Sequence, residues 1–549
     1  MRKALSPIPF FVLSLLLGLG CGKPDEPTGQ ATKPPTINPR PANASPAPSP
    51  TQTAKHIPAD VLLVASLNLD ALMAKLEVAQ LFKQPPFASA GDDPYTKLLM
   101  GFAVDPASWG LTLDTPLHVF IKHEPGGENK PPQPMLGLIA AVDDAHKLSA
   151  ALKNLAQAAG ESLDWQDSEG FKYFAGKGDW ITGFNNTTWI TYGALTSNFS
   201  EANPTAEADM KALFAAKDSL TQHPSFTRHL AAPQDVGLWF DERKSLDALQ
   251  QATQGEITEL DRIITKQLDL KASISTALRF ATGVVEADVA YSFDAQPFGG
   301  SAMKGPGLTK NPGLLNAVDQ DALLAFGSSF DMAPMRAWLK KSLEPLVISI
   351  GGLRELDNEI QALTGLTLAE AVDLPQGNGV LAWNGMESEP HPVVELPLPR
   401  FLLGFSLHDQ GKAGKLLEHL ETRESLDTFN TFGFDLYQQD RNLFFSAASM
   451  KAQHAIKPVQ GARRELLAGH NLGGWIDFPA ILKLADQLGA PKEATTPFAQ
   501  LGLLTMTGDF APGLQTFKIK LELKDTGRNS VRLIVEELLK LSATLGGSD

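Results

Sequence analysis

The sequence predicts an α+β protein with two tandemly duplicated halves, each a mainly antiparallel sheet covered by helices. Short apolar stretches end in Asn or Asp and pass directly into segments with helical periodicity, so strands and helices form separate elements. Other apolar stretches flank turn-forming residues, as in DWITGFNNTTWITYG, which is typical of β-hairpins. Hairpin-joined strands pair antiparallel, although the strand–helix units leave room for some parallel pairing.

The strand–helix pattern occurs four times, in DVLLVASLN, DVGLWFD, DALLAFGSSFD and NLGGWID. Each stretch ends at a residue suited to begin a helix: Asn68, Asp241, Asp331 and Asp477. A side-chain oxygen at such a position accepts a hydrogen bond from an amide of the first helical turn. We therefore predict that these four residues are structural helix N-caps rather than catalytic groups. Trp239 and Trp475 lie in the same stretches and are predicted to be core residues.

Further equivalent features keep the same order in both halves. GLTL occurs at 110–113 and again at 365–368, and hairpin turns are predicted at 185–186 and near Asp440. A fixed order with loop-sized drift in spacing is typical of an old duplication. We predict a first half over 55–300 and a second half over 314–549. A Gly/Pro-rich loop at 296–313, which we call the seam, joins them. The second half ends with an amphipathic helix, 529–545, that has no counterpart in the first half.

The N-terminus has the parts of a secretory signal peptide, which we assign to residues 1–20. Arg2 and Lys3 form a positive n-region, and residues 10–19 form an apolar region too short to span a bilayer comfortably. Small residues then lead to Cys21, the only cysteine of the chain. A cysteine at this place resembles the lipobox of bacterial lipoproteins, which implies lipid attachment at Cys21 and cleavage before it.

Two neighbouring residues bear on this interpretation. Gly18 stands where a lipobox usually has Leu or another aliphatic residue, so an ordinary signal peptide with a stray cysteine is the alternative. A single thiol cannot form an internal disulfide and would be a reactive liability if exposed, which favours lipidation. Gly22 replaces the Asp of the familiar inner-membrane retention signal. We therefore expect a lipid anchor on Cys21 in the outer membrane.

Residues 21–54 are predicted to form a Pro-rich disordered linker after the lipidated cysteine. The stretch from Lys23 to Ala54 has nine prolines and no aromatic residue, so it cannot bury enough apolar surface to fold.

The whole chain has a net charge of −15 and no Lys/Arg-rich block. Nucleic acid binding is disfavoured because phosphate neutralisation requires a basic face. No later apolar run approaches the roughly 20 residues of a transmembrane helix.

The sequence contains no recognisable motif for catalysis, metal binding or a cofactor. CxxC, HExxH, GxxxxGK[ST] and GxSxG patterns do not occur. The nearest metal candidate is the pair His223 and His229, but their spacing does not place them on one helical face, and Pro224 is expected to begin a helix between them. We expect both histidines to be partly exposed polar residues. Asp92–Asp93 are expected to lie in a solvated turn, since the spaced ligands of a calcium loop are missing.

The ordered motifs of the body resemble a family of uncharacterised bacterial lipoproteins classified only as a domain of unknown function. Its members pair a lipobox with a body that begins IPxD…VxSxN, here HIPADVLLVASLN at 56–68. They continue with a G[IL]xL…P[LV][YH]VF segment, here GLTLDTPLHVF, and close with NS[LV]…L, here NSVRLIVEELL. The resemblance covers essentially the whole body. It implies a fold and a location, because the family has no established activity and no catalytic residues to transfer.

These features predict a lipid-anchored cell-envelope protein that is a non-enzymatic binding or scaffold protein in the periplasm or at the outer membrane. The linker would let the body reach an envelope protein or a polysaccharide such as peptidoglycan. Two alternatives remain. A hydrolase of an envelope polymer or lipid would have convergent carboxylates or histidines between the halves. A carrier of apolar molecules would require a continuous apolar cavity.

Overall fold

A computed structural model of the chain describes residues 50–81, 94–124, 133–158, 160, 162–175, 180–194, 206–245, 272–293, 305, 307–334, 336–337, 351–393, 395–422, 430–452 and 457–545. Cys21, Asp92–Asp93, the signal peptide, and most of the linker and of the seam lie outside these residues. The described chain forms two compact units. Unit 1 lies within Met1–Asp261, Ala272–Thr282 and Gly527–Asp549, and unit 2 lies within Gly283–Thr526.

Unit 1 is built on a sheet whose described strands all pair antiparallel, in the order β9–β8–β1–β2–β3–β7–β6–β5–β4. The strands are β1 (Val61–Leu67), β2 (Leu117–Glu124), β3 (Gln133–Ala141), β4 (Gln166–Ser168), β5 (Phe171–Ala175), β6 (Ile181–Phe184), β7 (Thr188–Ala194), β8 (Val236–Asp241) and β9 (Ala272–Ala281). The β6–β7 turn falls at the predicted Asn185–Asn186.

Helices cover both faces of this sheet. They are α1 (Pro50–Ala54), α2 (Leu69–Leu76), α3 (Val78–Leu81), α4 (Pro94–Val104), α5 (Ala145–Ala158), α6 (Ala206–Ala215) and α7 (Pro224–Ala231), with 3₁₀ turns at Pro106–Trp109 and Leu220–Gln222. One core includes Phe120, Phe226 and Trp239. The other includes Val119 and Leu138 of the sheet. Successive strand residues point to opposite faces, so the near-continuous apolar runs of β2 and β3 supply both cores.

The described strands of unit 2 also pair only antiparallel, in the order β10–β18–β17–β16–β11–β12–β13–β15–β14. The strands are β10 (Val284–Phe293), β11 (Leu324–Ser329), β12 (Pro375–Pro390), β13 (Pro397–Leu407), β14 (Phe434–Gln439), β15 (Asn442–Ala447), β16 (Leu472–Asp477), β17 (Leu501–Ala511) and β18 (Leu514–Leu523). The parallel pairing that the sequence left open is thus not seen in the described strands of either unit.

The helices of unit 2 are α8 (Pro312–Asn316), α9 (Gly351–Thr364), α10 (Leu368–Asp373), α11 (Gln410–Thr422), α12 (Ala448–Ala452), α13 (Gly461–Ala468), α14 (Phe478–Gln487) and α15 (Lys492–Thr495), with 3₁₀ turns at Leu308–Lys310 and Thr496–Phe498. A core that includes Leu315, Val380, Phe444, Leu467 and Trp475 fills one face of the sheet. A smaller cluster joins Ala413 of α11 to Leu407 and Leu443 of the other face.

The two sheets share a strand order over seven strands. β9–β8–β1–β2–β3–β7–β6 of unit 1 corresponds to β17–β16–β11–β12–β13–β15–β14 of unit 2. Trp239 faces Val64 across β8 and β1, and Trp475 faces Ala325 across β16 and β11. Both tryptophans are fully buried, as predicted. A shared order and register are what a tandem duplication predicts.

Local details repeat as well. Gly110 and Gly365, from the two GLTL stretches, have positive φ angles of 80° and 71°, a conformation that favours glycine. The Asp235 carboxylate accepts a hydrogen bond from the Phe280 amide at 2.7 Å. Asn471, at the same place before β16, accepts one from the Phe510 amide at 3.1 Å.

The four residues predicted as helix caps all accept a backbone hydrogen bond from the chain that follows. Asn68 accepts from Ala71 at 3.2 Å and Asp477 from Ala480 at 3.1 Å, at the first turns of α2 and α14. Asp241 Oδ1 accepts from the Lys244 amide and Asp331 Oδ1 from the Ala333 amide, each at 3.0 Å. These bonds satisfy first-turn amides that have no partner within the helix.

The C-terminal helix, α16 (Ser530–Leu545), belongs to unit 1 although it follows the last strand of unit 2. Val531 and Leu533 are buried there. Arg532 bonds Glu77 at the end of α2 and Glu536 one turn along α16. The chain therefore returns to its first unit at its end. None of the helices within the described residues has the length and apolarity needed to cross a membrane.

Candidate functional site: an apolar surface on unit 2

Exposed large apolar side chains are concentrated on unit 2. Among the described residues, the set on unit 2 is Leu356, Leu363, Leu381, Val393, Leu396, Leu403, Phe432, Leu488 and Phe498. The corresponding set on unit 1 is Leu238 alone. Scattered exposed apolar residues are ordinary, whereas contiguous ones mark interaction surfaces. The two units therefore differ in surface chemistry despite their shared strand order.

Two members of this set, Leu381 and Leu403, form a continuous row across the sheet together with two half-buried phenylalanines, and we call it the apolar row. Phe326 of β11 lies opposite Leu381 of β12, Leu381 opposite Leu403 of β13, and Leu403 opposite Phe445 of β15. Directly paired residues share a face of the sheet, so the four side chains stand side by side. The alternate residues Val380, Ala382, Leu402 and Phe444 fill the core on the opposite face.

Unit 1 has an equivalent row that is buried. Val119 pairs with Ala65 and Leu138 in unit 1, as Leu381 pairs with Phe326 and Leu403 in unit 2. Val119 and Leu138 are 4% and 2% exposed, whereas Leu381 and Leu403 are 40% and 44% exposed. In unit 1 the row shares a cluster with Leu148 and Leu152, which lie four residues apart on α5. The same sheet position is thus covered in one unit and open in the other.

A two-stranded ribbon extends from the same strands, and we call it the arm (residues 384–401). β12 pairs with β11 only over 378–383, and β13 pairs with β15 only over 402–406, yet β12 and β13 continue to pair as far as Pro390 and Pro397. The arm therefore continues past the pairing of both neighbouring strands. Its end carries Val393 and Leu396, which are 58% and 63% exposed.

The polar groups of unit 1 that most resemble a catalytic site are buried. Ser66 Oγ lies 3.0 Å from His118 Nδ1, and the two residues are 1% and 0% exposed. Burial, together with a smaller contribution from repulsion by His229, lowers the pKa of His118 to about 3. A neutral, enclosed imidazole is a weak base that no substrate reaches from solvent in this structure. This serine–histidine contact is therefore structural.

The expectation that His223 and His229 are both partly exposed is wrong for His229, which is 2% exposed. Pro224 begins α7, so His229 falls one turn beyond Ser225 and Phe226, on the helix face that meets the sheet. Burial lowers its pKa to about 4, and neither ring nitrogen has a hydrogen-bond partner within the described residues. His223 is half-buried, and its Nδ1 lies 2.8 Å from Ser225 Oγ, which also accepts from Trp239 Nε1 at 3.0 Å.

The structure does not bring the predicted site residues together. Asn68, Asp241, Asp331 and Asp477 each serve a separate local turn, as described above, and Cys21 lies outside the described residues. In the part of the chain that the structure covers, no cluster of three or more His, Cys, Asp or Glu side chains is arranged to hold a metal ion.

Sequence reasoning missed both the apolar row and His118. Alternation in PLHVFI does place His118 on the same face as Phe120, and that signal could have identified a buried histidine. The runs GVLAWNG and RFLLGFSL predict strands with two apolar faces. Nothing in these runs tells which face is left open, because a covered and an uncovered apolar face have the same composition.

Comparison with known proteins gives a domain but no activity. No curated protein matches the chain. A solved structure described as crystal form I of TP0453 is similar over 44% of this chain and 79% of its own, at 7% identity and a TM-score of 0.23, so nothing about that protein transfers to this one. Residues 54–294 match a family profile described as a domain of unknown function, DUF4836. This match falls on the first half of the body and is consistent with the uncharacterised family that the sequence resembles.

Proposed function

We propose that the protein is a non-enzymatic, lipid-anchored envelope protein that binds a partner protein through the apolar row of unit 2. The observation that carries the proposal is the exposure of Leu381 and Leu403 at positions whose equivalents in unit 1 are buried. Removing such apolar area from water is favourable by about 25 cal/mol per Å², before the entropic cost of association. The anchor on Cys21 and the outer-membrane location come from the sequence alone and are part of the proposal.

The strand order that the two units share indicates what kind of partner segment fits. In unit 1 the equivalent row lies in one core with α5, whose Leu148 and Leu152 are buried. Leucines four residues apart lie on one face of a helix. In unit 2, α11 packs on the same face at Leu407 and Leu443 and leaves Leu381 and Leu403 exposed. An amphipathic helix of a partner protein, with leucines at this spacing, would cover the part of the face that α11 leaves open. Helix binding to an apolar groove is a common mode of peptide recognition.

A binding measurement with a defined probe tests this proposal. The probe is a fluorescent, net-neutral helical peptide of Leu and Gln in heptad spacing, titrated with the full-length protein and followed by anisotropy. We expect the double variant Leu381→Ser/Leu403→Ser to weaken binding at least tenfold, because two apolar anchors are lost. The matched control is Leu238→Ser, since Leu238 of unit 1 is 39% exposed, like Leu381. Equal weakening by the control, or no binding by the wild-type protein, would contradict the proposal.

A further inference from the structure

We infer that the arm is a second, charge-selective contact for the same partner, and that it fits an apolar site bordered by lysines or arginines. This inference rests on the proposed function, because it specifies the chemistry of the protein that unit 2 binds. It is carried by three features of the arm: its rigid end, its exposed apolar side chains and its acidic border.

Hydrogen bonds and prolines constrain the described backbone at the end of the arm. The Glu395 amide donates to the His391 carbonyl at 2.7 Å, and the His391 amide donates to the Leu396 carbonyl at 2.9 Å. Glu395 has a φ of 57°, in the left-handed region that residues with a side chain rarely adopt. Four prolines, at 390, 392, 397 and 399, restrict the chain on either side. A backbone held in this way loses little further entropy when it binds.

The rigid end displays apolar groups outward. Val393 and Leu396 each have more than half of their surface exposed. Gly433 lies against Leu398 and His391, so the exposed Phe432 stands beside the arm. Exposed apolar side chains are stabilised when a pocket of a partner removes them from water.

The charged residues at the end of the arm, within 387–396, are glutamates, and the arm's one arginine, Arg400, lies toward its base. Residues 387–396 include Glu387, Glu389 and Glu395 but no lysine or arginine. Glu387 is bonded to Ser449, whereas Glu389 and Glu395 are exposed. Like charges across an interface are unfavourable, and the whole chain has a net charge of −15. Charge complementarity therefore favours a cationic partner protein over a second copy of this chain or an anionic lipid surface.

The test compares two helical peptides with the same leucines, one carrying Lys and the other Glu, titrated with the full-length protein at physiological salt. We expect the Leu/Lys peptide to bind at least tenfold more tightly than the Leu/Glu peptide. Val393→Ser/Leu396→Ser should weaken Leu/Lys binding at least fivefold, and Glu389→Gln/Glu395→Gln should reduce the Lys-over-Glu preference at least threefold. The matched control is Asp486→Asn/Leu488→Ser, which removes one exposed acid and one exposed leucine from another part of unit 2.

Three results would overturn the inference. They are the absence of a Lys-over-Glu preference, an equal loss of binding in the control variant, and binding to phosphatidylglycerol or phosphatidylcholine vesicles that depends on Val393 and Leu396. The last would assign the arm to a membrane. If the apolar row does not bind a partner, the neutral Leu/Gln peptide will bind the wild-type protein and the Leu381→Ser/Leu403→Ser variant equally, or neither. The two proposals can therefore fail separately.

Discussion

Lowering the pH from 7 to 4.5 is expected to destabilise unit 1 by about 2 kcal/mol for each of His118 and His229. Burial lowers the pKa of these residues in the folded protein to about 3 and about 4, against 6.5 for a free side chain. The unfolded chain therefore binds protons first as the pH falls below 6.5, while the folded protein does not. The stabilising effect of the neutral rings is complete above pH 6.5 and is lost progressively as the pH falls toward their folded pKa values.

The change His229→Leu separates this effect from general acid denaturation. Leucine fills the space with an apolar side chain. The change removes two ring nitrogens that have no hydrogen-bond partner in the described structure. The variant should lose about 2 kcal/mol less stability than wild type between pH 7 and 4.5, measured by urea unfolding at each pH. His146→Gln, on an exposed position of α5, is the control and should leave the pH dependence unchanged. An unaltered pH dependence in His229→Leu would show that this ring does not remain neutral in the folded protein.

Gly473→Ala is expected to cost more than about 3 kcal/mol of unfolding free energy, far more than the equivalent change in unit 1. A Cβ atom at Gly473 would lie 1.6 Å from the Leu466 carbonyl oxygen, so the backbone of α13 would have to move. A Cβ atom at Gly237 would instead meet the side-chain amide of Gln234 at 2.3 Å, which can rotate away. We expect Gly237→Ala to cost less than about 1.5 kcal/mol.

Denaturant unfolding of both variants measures the difference. Gly414→Ala is the control, because no atom lies within 4 Å of a Cβ at this position on α11. Alanine in a helix interior should stabilise the protein by about 0.5–1 kcal/mol there. Similar costs for Gly473→Ala and Gly237→Ala would mean that the close contact between α13 and β16 differs from the structure described above.

The sequence predicts the local elements better than their surroundings. The turn at Asn185–Asn186 and the strands that contain Trp239 and Trp475 follow from residue type and alternation, which act over a few residues. The burial of His229 does not, since it depends on how α7 rotates against the sheet. Placing Pro224 at the start of the helix fixes that rotation only once the sheet is known. A six-residue spacing alone gives no such information.

The candidate surface is harder still to predict. Val119 and Leu381 have similar sequence environments in PLHVFI and GVLAWNG, yet the first is buried and the second is exposed. The difference arises from what covers each sheet, a property of distant parts of the chain. The sequence carries a clearer signal for the arm, because the prolines that flank HPVVEL interrupt the strand pattern. Proline confines such a segment to an edge or a projecting end.

The central claim is that an envelope-anchored protein binds a partner protein through unit 2, and site-specific photo-crosslinking in living cells tests it most directly. A photoreactive residue replaces Leu381 or, as the matched control, Leu238, each in the native chain and in the Cys21→Ser variant. Adducts are identified by mass spectrometry, and an acyl-chain analogue reports lipidation. We predict one shared envelope-protein adduct at Leu381, none at Leu238, and loss of both the adduct and the acyl label in Cys21→Ser. Identical adducts at Leu381 and Leu238, or an unlabelled native chain, would contradict the account.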